Sequence, residues 1–359
     1  MAYSAPRGVA AIRPKPPGVI KPLATGSVAE AATLPVFVST PARPVLPWAS
    51  SSRPIRQEMS ASHNSLRHHF TVDVEEYFQV LALEPYVARS QWDAIPSRLE
   101  LGVRAVLDLL SEHDTLATFF VLGWIGERAP KLVREIAERG HEIASHGSDH
   151  RRVTTLTRDE FRESVRSSKR ILEDITGQAV FGYRAPNFSI VRGGEWALEI
   201  LLEQGYRYDS SLFPVRRGDS GFVGGKRDPH RLELASGMLH EIPPATLRLG
   251  RAVLPAGGGA YFRHLPYKFV ASALLSAEHR GVPGTFYIHP WELDPDQPRI
   301  SAPFLTRWRH YGGLARTAPR LKRLLSSFRF QPIAATLGLH AALPNPAIAR
   351  VSSAYAGEA

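Results

Sequence analysis

The stretch LATFFVLGWIGERAPKLVREIAERGHEIAS, residues 116–145, decides the fold. Its first seven residues form an apolar run rich in aromatic and β-branched side chains, which predicts a buried strand. A helix is predicted to begin near Pro130, which suits a first helical turn, and to stop at Gly140, which suits the residue after a helix. Residues 141–145 form the next predicted strand. A strand, a helix and a strand in this order predict one unit of a parallel α/β sheet.

The same alternation extends through most of the chain. Further strands are predicted at residues 69–74, 180–184, 206–211 and 285–289, and further helices at 97–110, 157–175 and 195–204. The helix at 157–175 is well marked, because Thr157 and Glu160 make a capping box and Gly177 ends it. No glycine-rich phosphate-binding motif follows the first strand, which disfavours a nucleotide-binding doubly wound sheet. The pattern favours an α/β barrel, in which functional residues follow the ends of several strands.

Composition divides the chain into four regions. Residues 1–67 contain ten prolines and show neither helical nor strand periodicity, so we predict a disordered extension there. Residues 68–302 form the predicted folded domain. Residues 303–335 are predicted to be a helical closing segment, which we call the basic segment because its first 31 residues include seven Arg or Lys and no acidic residue. Residues 336–359, rich in Ala, Pro and Ser, are predicted to be a flexible tail.

Charge and residue usage disfavour several classes of site and partner. The formal net charge of +10 belongs to the two flanks, which leaves residues 68–302 slightly acidic and argues against a nucleic-acid partner. The chain has no cysteine, so disulfides, thiolate metal sites and a cysteine nucleophile are excluded. The first residues lack the apolar run of a secretory signal, and no stretch approaches the roughly 20 apolar residues of a membrane span. We therefore expect a cytoplasmic protein, with export left open if the start site is misassigned.

Polar residues follow the predicted strands. Asp73, Glu75 and Glu76 lie at and just after the end of HFTVDV, and His146 and His150 come directly after HEIAS in the motif HGSDH. Two imidazoles and one carboxylate are enough to hold a catalytic metal ion with positions open for water and substrate. A helical turn after residue 145 would place both imidazoles on one side. The residues therefore suggest a metal hydrolase.

Each of these residues also has a purely structural interpretation. An acidic cluster can be a solvated loop, and histidines in loops are often only polar surface. Arg184 ends the strand VFGYR and either orients a carboxylate or forms a structural ion pair. His289 ends TFYIH, where a lone histidine is often a satisfied core residue. Asp209 in YDSS either orients a site residue or caps a turn.

The order and context of these pieces resemble the polysaccharide deacetylase family, also called the NodB homology domain or carbohydrate esterase family 4. The resemblance runs over residues 68–291 and includes VDVEE, HGSDH, RAPN, YDSS and YIH, in the order of the family motifs. The longer pieces VDVEEYF, YRAPNFS, GGGAYFR and FYIHPWE are similar to members from bacterial exosortase (PEP-CTERM) exopolysaccharide loci. The resemblance implies an α/β fold, a distorted (β/α) barrel of about seven strands.

The resemblance also implies a metal-ligand set. His146 and His150 match the two histidine ligands of the family. Val74 stands where the family usually has an acidic ligand, so this ligand must shift along the chain. Glu75 is the expected replacement and Glu76 the alternative. Zinc is the expected divalent ion, and other first-row divalent ions also suit two histidines and one carboxylate.

Further roles are carried over residue by residue. Asp73 matches the catalytic base, His289 the general acid and Arg184 the residue that orients Asp73, while Asp209 lies in a segment shared with the family and is assigned an orienting role. Asn187 departs from the aromatic residue usual at its position. The expected substrate-contacting residues are Asn187, Tyr261, Phe262, Arg263 and Trp291.

The implied activity is metal-dependent removal of N-acetyl groups from a polysaccharide or its precursor in bacterial exopolysaccharide biosynthesis. The ion would activate water and polarise the acetamide carbonyl, helped by a backbone amide near Pro186 or Asn187. Two alternatives stay open: a carbohydrate-binding protein on the same fold that has lost catalysis, suggested by Val74 and Asn187, and a hydrolase of small non-peptide amides. The expected partner is an acetylated glycan, and the basic segment could contact an anionic glycan or lipid headgroups.

Overall fold

A computed structural model describes residues 66–216, 218 and 220–339. Most of the predicted extension 1–67, and the predicted tail from residue 340 onward, lie outside the described residues. The strands are β1 (His68–Val74), β2 (Thr118–Val121), β3 (Glu142–Ser145), β4 (Gly182–Tyr183), β5 (Tyr208–Asp209), β6 (His230–Leu234), β7 (Gly237–Glu241), β8 (Thr246–Leu249), β9 (Ala252–Pro255), β10 (Thr285–Ile288) and β11 (Phe330–Gln331). The α-helices are α1 (Leu99–Ser111), α2 (Gly123–Arg128), α3 (Pro130–Glu138), α4 (Arg158–Thr176), α5 (Trp196–Glu203), α6 (Ala260–His264), α7 (Tyr267–Glu278), α8 (Phe304–Tyr311), α9 (Thr317–Ser327) and α10 (Ile333–Leu337).

Nine strands form one sheet in the order β10-β1-β2-β3-β4-β5-β7-β6, with β11 also paired to β1. Every pair from β10 to β7 is parallel, and β6 joins β7 in an antiparallel hairpin. The sheet curls back on itself, because the chain that follows β7 bridges β10 at Pro244–Thr285 and again at Gly258–Tyr287. Seven parallel strands therefore surround one interior, which confirms the predicted α/β barrel class.

The two faces of each strand have different surroundings. In β1, Phe70 and Val72 belong to the large apolar core that also includes residues of α1, α3 and α4. Thr71 and Asp73 alternate with them and so point to the barrel interior, as the two-residue period of a strand requires. Both are buried. Side chains that end up in the interior at the carboxyl ends of the strands are therefore polar, and the apolar residues cover the outside.

Local signals in the sequence correspond to the observed helix ends. Thr157 Oγ1 accepts a hydrogen bond from the Glu160 amide, and the Glu160 carboxylate accepts one from the Thr157 amide, as predicted for the capping box before α4. Gly177 ends that helix in the left-handed conformation, with φ of 65°. Helix α3 begins at Pro130 and Gly140 follows it with φ of 86°.

Two expectations about the elements are wrong. No helical turn follows residue 145: Gly147 and His150 both have positive φ, so the chain turns sharply there. The predicted tail begins too early, because residue 336 lies inside α10.

The base of the barrel, where the strands begin, is closed by the end of the described chain. Strand β11 pairs with the start of β1, and α10 follows it across the base. Ile333 is buried in the barrel interior with Phe120 and Tyr208, so the basic segment packs onto the domain. In the described part of the chain, no helix is both long and apolar enough to cross a bilayer.

Candidate active site

The predicted site residues lie together at the carboxyl ends of the parallel strands. Asp73 is the second-last residue of β1, and Glu75 follows that strand directly. His146 comes directly after β3 and Arg184 directly after β4. His289 comes directly after β10, the neighbour of β1 in the sheet. Parallel strands end at one edge, so residues far apart in sequence meet at one point of the barrel.

Glu75, His146 and His150 form a candidate metal site. Their ligand atoms all lie within 4.8 Å of one another, and all three residues are buried. His150 Nε2 is 2.6 Å from Glu75 Oε2. The left-handed residues Gly147 and His150 turn the chain so that the two imidazole ring centres are 5.5 Å apart. The loop thus brings the two rings together without the helical turn predicted for it.

His146 is held in the form that binds a metal ion. Its Nδ1 lies 2.8 Å from the backbone oxygen of Arg184, which can only accept, so Nδ1 carries the proton and Nε2 keeps its lone pair. Burial lowers the pKa of His146 to about 4, and the imidazole is therefore neutral near pH 7. Two imidazoles and a carboxylate suit a divalent ion such as zinc.

The structure brings Glu75 to the two histidines and places Glu76 elsewhere. Burial alone would raise the pKa of Glu75, but the neighbouring His150 and His289 lower it to about 2. The Glu76 carboxylate instead accepts hydrogen bonds from the Ser97 hydroxyl and from the backbone amide of Arg98, just before α1. Glu76 therefore holds the start of a helix, and the alternative acidic ligand is wrong.

Arg184 holds Asp73 in the barrel interior. Its Nη1 donates to Asp73 Oδ1 at 2.7 Å and to Thr71 Oγ1 at 2.8 Å, and its Nη2 donates to Ser210 Oγ at 2.8 Å. The guanidinium also lies over the ring of Phe120, with its central carbon 4.1 Å from the ring centre. Arginine is always charged, so this fully buried group fixes the orientation of Asp73 and balances its charge.

Asp209 does not contact Arg184 or Asp73, which corrects its predicted role as a direct orienting residue. Its two carboxylate oxygens accept from the hydroxyl and the backbone amide of Ser211. The Ser211 hydroxyl in turn accepts from the amide of Ala185, the residue after Arg184. Burial raises the pKa of Asp209, which faces Glu241 across paired strands. Asp209 thus supports the backbone beside Arg184, whereas the neighbouring Ser210 contacts the guanidinium itself.

His289 lies opposite Asp73 and is oriented by Glu292, a residue that we did not single out from the sequence. His289 Nδ1 is 2.7 Å from Glu292 Oε1, so its Nε2 faces the pocket, 3.5 Å from Glu75 Oε1 and 3.9 Å from Asp73 Oδ2. Burial alone would lower the pKa of His289, but the Glu75 and Glu292 carboxylates raise it to about 9. The motif FYIHPWE contained the signal, because its last residue is Glu292.

Aromatic rings cover one side of the cluster. Trp291 stacks between His289 and His310, with ring centres 5.2 and 4.4 Å away, and its Nε1 donates to Glu75 Oε1 at 3.3 Å. His310 belongs to α8 in the basic segment, and sequence reasoning missed it because no motif connects that segment to the site. The predicted closing segment therefore contributes a wall of the site.

A pocket of about 180 Å³ opens over these residues. Among the residues predicted to contact substrate, those that line it are Asn187, Tyr261, Arg263 and Trp291. Phe262 does not line it: the side chain is buried in the core, 5.0 Å between ring centres from Phe286, and its predicted contact with substrate is wrong. Arg263 is buried and paired with Glu292, so it is a fixed part of the wall rather than an exposed rim residue.

Comparisons with known proteins match two consecutive parts of the chain. Residues 87–208 match the family described as "Polysaccharide deacetylase", and residues 210–338 match "Domain of unknown function (DUF3473)". The boundary between the two matches falls inside the barrel, next to β5. The first match contains His146, His150 and Arg184, and the second contains His289.

Relatives with curated names match part of the chain. A peptidoglycan deacetylase of Helicobacter pylori is 32% identical over 130 residues, which is 34% of this chain and 43% of that protein. A peptidoglycan-N-acetylglucosamine deacetylase of Bacillus cereus is 35% identical over 95 residues, 26% of this chain and 34% of that protein. The matched region thus spans less than half the length of these relatives.

A solved structure of a probable polysaccharide deacetylase from Pseudomonas aeruginosa aligns with a TM-score of 0.47 at 18% identity, covering 72% of this chain and 83% of that one. The fold assignment rests on the strand order of the present chain. Residues 87–208 are therefore similar to the polysaccharide deacetylase family, and the curated relatives are similar to part of the chain.

Proposed function

We propose that this protein is a metal-dependent hydrolase that removes N-acetyl groups from a polysaccharide or its precursor. The observation that carries the proposal is the placement of a base, a candidate metal site and an acid around one pocket. Asp73 and His289 face each other beside Glu75, which belongs to the metal site. The curated relatives, which are named as deacetylases of peptidoglycan and chitooligosaccharide, support the same chemistry.

In this proposal the Asp73 carboxylate is the general base. Arg184 occupies its Oδ1, which leaves Oδ2 on the side of His289 and the pocket. A divalent ion held by Glu75, His146 and His150 would supply Lewis-acid polarisation and activation of water at neutral pH. Asp73 then accepts the proton that the attacking water loses.

His289 is the general acid that protonates the departing amine. Glu292 bonds its Nδ1, so that Nε2 is the nitrogen turned to the pocket. The backbone amide of Asn187 is the proposed donor to the oxyanion, because Pro186 has no amide hydrogen. Asn187 has φ of 58°, a left-handed conformation that costs backbone energy, and it lines the pocket wall.

Finer statements belong to the same proposal. Zinc is the proposed ion, because the site combines two imidazoles with one carboxylate. A role in exopolysaccharide biosynthesis, with membership of the exosortase-associated subfamily, is supported by the motifs VDVEEYF and FYIHPWE. A cytoplasmic location is proposed from the sequence alone.

Acetate release from acetylated oligosaccharides tests the proposal. Purified full-length protein is assayed on chitin-type and peptidoglycan-type oligomers and on monomeric amides, before and after chelation and with zinc restored. We expect release from an oligomer, loss on chelation and recovery with zinc. Glycan binding without acetate release at any added metal would establish the non-catalytic alternative. Release from monomeric amides alone would establish the small-amide alternative.

A further inference from the structure

Helix α8 exposes bulky apolar side chains on its outer face. Phe304 is 81% exposed, Leu305 69% and Trp308 52%. Residues three and four positions apart lie close together on a helix surface, so Phe304 and Leu305 both lie beside Trp308 and the three form one apolar patch. Soluble proteins seldom expose a cluster of such side chains without a binding role. We call this patch the α8 face.

The α8 face lies in strongly cationic surroundings. Arg307 and Arg309 are exposed beside it on the same helix. No Asp or Glu occurs between residues 297 and 339, and the basic segment that contains α8 carries seven Arg or Lys up to residue 333. Apolar side chains flanked by arginines are typical of helices that lie in the interface of a membrane with anionic lipids.

The opposite face of α8 belongs to the site. His310 is buried against Trp291, and both His310 and Arg309 line the pocket. Leu81 and Ala82, in a short helical turn that contacts α8, line it too. One short helix therefore carries site residues on its inner face and an apolar patch on its outer face.

We propose that the α8 face docks this protein on the surface of an anionic lipid bilayer. Charge complementarity selects this partner, because the arginines attract anionic headgroups while Phe304, Leu305 and Trp308 enter the region below them. A soluble anionic glycan would satisfy the arginines and leave the apolar patch in water. A second copy of the chain docked through the same face would bring like charges together.

Docking in this way places the pocket mouth next to the membrane. The glycan that reaches the pocket is then one carried by a lipid in that membrane. This step rests on the proposed deacetylase function, whereas docking itself does not.

Vesicle co-sedimentation of the full-length protein tests the docking. Vesicles of phosphatidylcholine mixed with phosphatidylglycerol are compared with phosphatidylcholine alone, at low and high salt. We expect binding to the anionic vesicles that weakens with salt. The double variant Phe304→Ser/Leu305→Ser and the variant Arg307→Glu are each expected to lose at least about tenfold in affinity.

Matched controls change exposed positions away from α8. Val223→Ser/Leu249→Ser and Arg166→Glu are expected to bind vesicles as the unchanged protein does. Asp73→Asn is expected to bind normally too, which separates docking from catalysis. Acetate release from a soluble oligomer by Phe304→Ser/Leu305→Ser reports whether that variant is folded.

Four results would overturn the docking proposal. The first is no binding to anionic vesicles, and the second is equal binding to neutral ones. The third is full binding by the α8 variants. The fourth is a dimer in solution that dissociates in Phe304→Ser/Leu305→Ser, which would assign the α8 face to a second copy of the chain.

Discussion

The two ends of the barrel bury the same kinds of side chain and use them differently. At the carboxyl ends of the strands, Glu75, His146 and His150 point their ligand atoms toward one another. At the base, His69 is buried just as deeply and Glu142 is partly buried. The difference lies in their partners.

Every polar side-chain atom of His69 and Glu142 has a partner within the chain. The two ring nitrogens of His69 lie 3.0 Å from Thr285 Oγ1 and 2.9 Å from Thr336 Oγ1. Glu142 accepts from the hydroxyls of Thr118 and Tyr208 and from the backbone amide at residue 334. These bonds tie the basic segment to the barrel, so the base residues contribute to stability.

At the site, by contrast, the imidazoles and carboxylates face the same small space. His146 uses one nitrogen on a backbone oxygen and turns the other toward Glu75 and His150. Buried polar groups need partners, and this set can be completed by a cation. Burial and residue type alone therefore do not identify a functional cluster, whereas convergent ligand atoms do.

The largest expected effect distinguishes two carboxylates at opposite ends of the barrel, Asp73 and Glu142. Asp73→Asn should reduce acetate release by at least about 10³-fold, because the amide cannot accept the proton from water. Bound metal, measured by elemental analysis, should stay at the level of the unchanged protein. Glu142→Gln should keep its activity per folded molecule and unfold at lower temperature, because its new amide group faces hydrogen-bond donors. Equal activity losses in the two variants would contradict the distinction between the ends.

The next effect separates two buried histidines. His146→Ala should abolish the rise in melting temperature that zinc gives to the unchanged protein, a stabilisation of about 2.7 kcal/mol when free zinc is a hundredfold above its Kd. His69→Ala should melt earlier without metal, since it loses two hydrogen bonds, and should keep the full zinc-induced rise. A zinc-induced rise that survives in His146→Ala and disappears in His69→Ala would reverse the assignment.

A third effect concerns His141, at the base of the barrel, at acidic pH. Burial lowers the pKa of His141 to about 4, so below pH 6.5 the unfolded chain binds a proton that the folded chain does not. Stability should therefore fall as the pH drops from 6.5 to 4. His141→Asn keeps an acceptor for the Ala117 amide and removes the titration. Over this pH range the unfolding free energy of His141→Asn, measured in urea titrations, should fall by up to about 3 kcal/mol less than that of the unchanged protein. If the unfolding free energies of the variant and of the unchanged protein fell equally over this range, titration of His141 would be refuted as the cause of acid sensitivity.

The smallest effect tests a neighbour of the metal site. Trp291→Phe keeps an aromatic ring between His289 and His310 and removes the donor to Glu75. We expect zinc affinity to fall by no more than about tenfold, since groups that orient metal ligands contribute modestly and this bond is long. Trp196→Phe, on α5, is the matched control and should leave zinc affinity unchanged in a competition titration. A loss as large as that of His146→Ala would make Trp291 far more important than the geometry implies.

Much of the fold was predictable from local patterns. The strand at 116–122 and the helix from Pro130 to Gly140 are marked by apolar runs and by end signals that act over a few residues. The curl that joins the chain after β7 to β10 was not predictable, because it depends on bridges between residues far apart in sequence. The contact of Thr336 with His69 was not predictable for the same reason. The composition around Thr336 predicts a flexible tail instead.

The site was predictable where residues follow strands. Asp73, Glu75 and His289 could be placed because strand ends meet at one edge of a parallel barrel. Phe262 was misplaced, since its motif gives no indication of which side of a short helix faces the core. His310 was missed because its contact with Trp291 is made only when the basic segment folds back over the pocket.

The measurement that tests the central claim most directly is anomalous X-ray scattering at the zinc edge from crystals of the full-length protein grown with zinc. The account predicts one strong peak bounded by Glu75 Oε2 and the Nε2 atoms of His146 and His150, with no peak among His69, Glu142 and Thr336 at the base. A peak at the base, or none beside Glu75, would contradict it.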